Sequence, residues 1–219
     1  MKYIYHHLGL GDHIICNGLV RYIKNVEDEV YVFCKPHNTK NIEYMYRDDS
    51  NIKVLSIGED IEVNNYIENN QISNDVIIVG FHNLYKSNCE TFDVAFYNSI
   101  DIPFSVRFDN FYIERDLKLE QNIIQELNPN NEKYIFTHNV DINKVRNDLK
   151  IIENPTNYNI FNLISLIENA EEVHLMESSV KCLINSYKME KPKFFYHNYV
   201  RNYPSFINSK GFNKFTTIY

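Results

Sequence analysis

Within His6-His7-Leu8-Gly9-Leu10-Gly11-Asp12-His13 the chain gathers two glycines, a carboxylate and three imidazoles. Gly9 and Gly11 would let a backbone approach a ligand with no Cβ in the way. A helix starting just after them would offer free N–H groups and a partial positive charge to an anion. The same residues also suit a tight turn followed by a helix capped by Asp12, and spacing alone leaves the two readings level. A second cluster is Glu177-Ser178-Ser179. Two hydroxyls and the amides of a helix start form a diphosphate cradle, and a carboxylate before them can accept bonds from ribose hydroxyls. A plain N-cap on Ser178 or Ser179 reads the same letters.

Weaker candidates follow from position. His138 ends a strand pattern and could touch a base or a phosphate, or be a satisfied structural histidine. Arg107 and Arg115 flank an aromatic run, where one could reach a diphosphate, although ion pairs are the commoner use of such arginines. His197 and Arg201 follow the last strand pattern and are further candidate ligand contacts. The His6-His7 pair has no third metal ligand nearby, so no metal site is expected. Cys16, Cys34, Cys89 and Cys182 form no C-x-x-C pair, which suits free thiols in a reducing, cytoplasmic setting.

Two nucleotide motifs are missing. A G-x-G-x-x-G fingerprint would need glycine where Ile14 stands, and the second strand ends in Cys34-Lys35-Pro36 with no ribose-binding acid. The G-x-x-x-x-G-K-[ST] loop is also absent. An NAD-dependent reductase is thus only a third reading, which tight NAD(P) binding would promote.

The elements that must hold these groups read as alternating strands and helices. Strands are expected over 2–6, 29–34, 51–57 and 75–81, then 133–137, 172–177 and 193–196. Helices are expected over 12–26, 41–47, 114–127, 159–169 and 178–189. Near-continuous apolar runs such as VIIVG suit parallel sheets covered on both faces. The fold class is therefore α/β, with two Rossmann-like lobes of parallel strands, 1–128 and 129–219, joined at Asn128-Pro129-Asn130-Asn131. Seventeen Tyr and fourteen Phe supply a dense core. A net charge of −7 argues against a nucleic-acid partner held by phosphate neutralisation. No apolar run is long enough to span a membrane, and the first residues lack a leader pattern.

In order along the chain, HHLGLGDHIICNGLVRYI, FDVAFYNSIDIPFSVRFDNFYIERD, NIFNLISLIENAEEVHLMESSVKCLI and KPKFFYHNYVRNYP resemble segments of the heptosyltransferase-like, family 9-type glycosyltransferases and their short relatives. The resemblance implies a GT-B architecture, with the acceptor mostly on the first lobe and the nucleotide-sugar donor mostly on the second. It implies metal-independent, inverting transfer of a hexosyl or heptosyl group to a glycan or lipid-linked saccharide in polysaccharide biosynthesis, with no cofactor beyond the donor substrate. Asp12 matches the loop aspartate that resembles a general base, with His13 next to it. Gly9, Gly11, Glu177, Ser178 and Ser179 match donor-binding turns. The chain departs from the pattern where a Lys-rich phosphate loop is usual, since it reads Thr137-His138-Asn139-Val140. The rival expectation is a non-catalytic nucleotide-sugar or carbohydrate-binding module on a degenerate GT-B fold.

Overall fold

A computed structural model describes residues 1–80, 91–199 and 215–219. The chain divides into two compact units, the first Met1–Glu114 and the second starting at residue 115. The fold is α/β with two parallel sheets, as the strand and helix alternation requires.

In the first unit, β1 (Lys2–Tyr5), β2 (Val30–Cys34), β3 (Ile52–Ser56) and β4 (Val76–Ile78) pair in the order β3-β2-β1-β4, all parallel. Alternation along the strands sorts side chains to two faces. Tyr3, Tyr5 and Phe33 join Leu8, Val63 and Ile67 beneath α3 (Asp60–Asn69). The opposite face carries Ile4, Val30 and Val32, all buried. It meets α1 (Leu10–Lys24), whose Ile14, Ile15, Leu19, Val20 and Ile23 form the buried stripe. α2 (Thr39–Met45), α4 (Phe92–Asn98) and α5 (Val106–Asp109) pack beside α1.

α1 and α5 nearly touch by backbone. A Cβ on Gly18 would lie 2.5 Å from the Val106 carbonyl oxygen and 2.7 Å from that of Arg107, so only glycine fits there. Tyr97 on α4 donates its hydroxyl to the Ile15 carbonyl at 2.8 Å. Arg107 is paired with Asp93 between α5 and α4, both side chains without exposed surface. The guanidinium lies near the rings of Phe104 and Phe108, 5.8 and 5.2 Å away. Arg107 is therefore a core ion pair and not a ligand contact, contrary to the expectation from its aromatic neighbourhood.

In the second unit, β5 (Tyr134–His138), β6 (Lys150–Glu153), β7 (Glu172–Leu175), β8 (Lys193–His197) and β9 (Thr216–Ile218) pair in the order β6-β5-β7-β8-β9, again all parallel. α6 (Leu117–Leu127) opens it, α7 (Ile164–Glu168) continues a 3-10 turn over Ile160–Leu163, and α8 (Ser179–Tyr187) follows β7.

The joint between units differs from the sequence expectation. α6 belongs to the second unit because Arg115, at its start, bonds Glu120, Glu168, Ser165 and the Tyr187 hydroxyl. The Asn/Pro-rich stretch is a turn inside that unit. There the Asn128 side chain takes the Glu132 N–H (3.2 Å) and gives to its carbonyl (2.9 Å), with Asn131 left-handed at φ 51°. A run of turn formers reads the same in a linker and in a tight α–β connection.

Candidate functional site

In a parallel α/β sheet the useful edge is the carboxyl end of the strands, at the point where strand order reverses. In the first unit that point lies between β1 and β4. The β1–α1 connection crosses it with His6, His7, Leu8 and Gly9. Gly80, just past β4, is held at φ 91°, and a Cβ there would meet the Phe96 ring at 2.7 Å and His7 at 3.4 Å. His7 stacks on Phe96 with ring centroids 5.4 Å apart. His7 and Gly80 thus both lie against the Phe96 ring.

α1 starts at Leu10, two residues before the expected 12, so Asp12 is the third residue of its first turn and not its cap. Its carboxylate folds back over the cap residue: Oδ2 lies 2.6 Å from where a Gly9 Cβ would be. A side chain at position 9 would have to displace that carboxylate. Burial pushes the Asp12 carboxyl up to about 7, against hydrogen bonds from the Asp12 and Gly9 backbones that pull it down. A carboxylate in that range can exchange a proton near neutral pH.

His13 has no such freedom. It is fully buried, its two ring nitrogens have no hydrogen-bond partner among the described residues, and it meets His6 edge-on at 4.3 Å. Burial holds its pKa well below the ordinary imidazole value, and takes His6 down to about 4. His6 donates from Nδ1 to the His7 carbonyl. Both rings are neutral packing groups at pH 7, so His13 stands behind Asp12 and out of a substrate's reach. No group of three His, Cys, Asp or Glu side chains among the described residues could hold a metal ion.

Two strands away, at the carboxyl end of β3, lies a depression of about 440 Å³. Ser56, Glu62, Asn65, Tyr66 and Asn69 line it. Parallel pairing puts it on the same sheet edge as Asp12, with β2 between.

In the second unit the order reverses between β5 and β7, which pair His138 with Leu175. His138 therefore ends its strand at the switch point, and Glu177, Ser178 and Ser179 follow from the neighbouring strand into α8. Ser178 is the N-cap residue in extended conformation, but its hydroxyl turns away to the Met176 carbonyl at 3.2 Å and does not cap the helix. That leaves the first-turn amides of α8 to other acceptors. Glu177 is buried and paired with Lys181 one turn on. The Lys181 ammonium also lies over the Tyr196 ring at 4.5 Å. Glu177 thus anchors the turn through Lys181. The i, i+4 spacing of Glu177 and Lys181 was the signal for this partner.

His197 is fully buried and faces inward to His174 and Tyr199, so it is no direct ligand contact. Arg115 is spent on the α6–α7 network described above, and Arg201 lies outside the described residues. Sequence reasoning passed over His174 and Tyr199, which bond with His197, and Glu172, which bonds with His174. The i, i+2 spacing of Glu172 and His174 on one strand face was available to find those two.

No protein-family model matches this sequence, and no curated protein matches it. Among solved structures, the chain is similar to the glycosyl transferase family 9 protein from Veillonella parvula. The match covers 99% of this chain and 84% of that one, with a TM-score of 0.61 at 7% identity. At that identity the two share a fold, a glycosyltransferase-like pair of parallel-sheet units.

Proposed function

We propose that this chain is a metal-independent, inverting glycosyltransferase that moves a sugar from a nucleotide-sugar donor to a glycan or lipid-linked saccharide. The observation that carries the proposal is Asp12, a carboxylate pushed up to about 7 at the strand-order switch point of the first unit. A sugar hydroxyl is a very weak acid, so its proton must leave to a base as the bond to the anomeric carbon forms. Asp12 accepts it. Attack from the face opposite the leaving diphosphate inverts the anomeric centre.

The second unit holds the donor. The uncapped amides of α8, with the Ser179 hydroxyl, take the diphosphate, and the helix dipole favours the charge that develops on it. No Asp-x-Asp pair occurs in the sequence to bridge a metal and a diphosphate. The depression at β3 supports an acceptor reading. Its hydroxyl, carboxamides and phenol ring are the groups that meet a saccharide, and it lies two strand spacings, roughly 10 Å, from the β1–α1 loop.

The test is incubation with UDP-, GDP-, ADP- and dTDP-sugars and varied acceptors, scoring released nucleotide for the natural chain and Asp12→Asn. Release that depends on Asp12 supports the proposal. The loop Thr137-His138-Asn139-Val140, which has no lysine, favours the rival reading of a binding module. Thermal stabilisation by a nucleotide without any release would establish that rival.

A further inference from the structure

Four side chains of the second unit form one hydrogen-bonded file along a single face of its sheet. Glu172 and His174 are two apart on β7. The parallel register sets Phe195 of β8 opposite His174, so His197 falls on the same face one step further toward the carboxyl edge. Phe195 stacks on His174 at 4.5 Å and fixes its ring plane. Glu172 Oε2 is 3.3 Å from His174 Nε2, His174 Nδ1 is 2.9 Å from His197 Nε2, and His197 Nδ1 is 2.8 Å from the Tyr199 hydroxyl. The file ends at the backbone N–H of Asp141, 3.2 Å from the same hydroxyl.

The two ends set every proton between them. The Glu172 carboxylate only accepts, so neutral His174 carries its proton on Nε2 and accepts at Nδ1. That leaves His197 Nδ1 to take the Tyr199 proton, while the Tyr199 oxygen accepts from the Asp141 N–H. His197 is then protonated on Nε2 and donates to His174 Nδ1, and His174 donates from Nε2 to the Glu172 carboxylate. Each group donates once, and both imidazoles are neutral. The charged groups facing them agree with this balance: Glu172 and Arg146 at one end, Lys144 and Asp141 at the other. Burial lowers both histidines, His197 to about 4.

What the file holds is the loop after β5. Asn139 there is left-handed at φ 52°, and the Asp141 carboxylate is turned to Asn143, which leaves its N–H to Tyr199. Lys144 lies over the Tyr199 ring at 3.7 Å. This loop leaves the switch point at His138, beside the α8 amides.

We infer that His197 and Tyr199 are positioning residues, which hold the 139–141 backbone for a nucleoside diphosphate through the Glu172–His174–His197–Tyr199 file. The inference rests on the donor reading given above. It assigns to a largely buried side-chain file the ordering of the 139–141 backbone, a stretch with no lysine of its own.

Three measurements test it on the full chain. Nitrogen-15 shifts of the histidine rings should show both His174 and His197 neutral and protonated on Nε2 at pH 7. Charged rings, or protons on Nδ1, would overturn the file. Tyr199→Phe keeps the ring under Lys144 and removes the shared hydroxyl, so exchange of the Asp141 amide should quicken about tenfold, the scale of one lost hydrogen bond. Affinity for the best of UDP, GDP, ADP and dTDP should fall by a similar factor. His197→Ala should do the same with the melting transition still cooperative. Unchanged exchange or unchanged nucleotide affinity in Tyr199→Phe overturns the positioning role and leaves the donor reading standing. If the natural chain binds none of the four nucleotides, the donor reading fails and takes this role with it, whatever the ring shifts show.

Discussion

Asp12 has an ordinary carboxylate's chemistry changed by where one helix turn puts it. Folded back over Gly9, it loses more solvation than two backbone donors return, and its carboxyl titrates near 7. On the proposed mechanism, kcat/KM should climb with pH through a midpoint close to 7, since only the ionised form accepts the proton. Asp12→Asn should remove that limb and lower turnover by roughly 100-fold. The same shift has a stability consequence of definite sign. A carboxyl whose pKa is raised on folding favours the folded state at low pH, and the advantage is lost as pH rises through the folded value. Melting temperature should therefore fall between about pH 4 and 8 by more in the natural chain than in Asp12→Asn. The corresponding difference in unfolding free energy should be on the order of 2 kcal/mol, discounted because part of the residue meets solvent.

At the level of elements, the first unit depends on contacts that the one-dimensional pattern does not show. Arg107 and Asp93 lie 14 residues apart with no helical or strand spacing to link them, yet they form a pair with no exposed surface. Arg107→Ala would take the ion-pair partner from the buried Asp93 carboxylate, and should cost about 3–5 kcal/mol in chemical denaturation. Gly18→Ala should also lower stability, because the α5 carbonyls leave no room for a methyl. Apolar runs made β1, β2, β5, β7 and β8 legible in the sequence, and the apolar stripe did the same for α1. α3 was missed because Asn-rich DIEVNNYIEN has weak helix propensity; its signal was the Glu59–Glu62 capping box. β6 (KIIE) and β9 (TTI) are short strands whose pairing partners, not their own letters, make them strands. At the site, the glycine turn and the acid-Ser-Ser turn were legible, because loops at strand ends carry local signals. The burial of His13, His197 and Arg107 was not, because it is set by residues far away in sequence.

Across the molecule, each unit repeats one plan: a parallel sheet, an order reversal, and a helix start beside it. The strand orders β3-β2-β1-β4 and β6-β5-β7-β8-β9 put Asp12 at one reversal and the start of α8 at the other. The chain shares its fold with a family 9 glycosyl transferase structure at 7% identity. The plan predicts that binding and turnover separate by unit. Ser179 is the first residue of α8, and Ser178 before it is extended at φ −166° and ψ 172°, away from the α region that a following proline disfavours. Proline is well accepted at a first helical position, where its missing N–H breaks no intrahelical bond. Ser179→Pro should thus keep the fold and the melting temperature while deleting one amide and one hydroxyl from the proposed diphosphate cradle. Nucleoside diphosphate affinity should fall about tenfold or more, since charge-assisted bonds exceed neutral ones. Asp12→Asn should leave that affinity unchanged and lose turnover. Calorimetric titration of both variants against the same nucleotide distinguishes them. If Ser179→Pro binds as the natural chain does, the diphosphate does not sit on α8, and the switch point of the second unit holds something else.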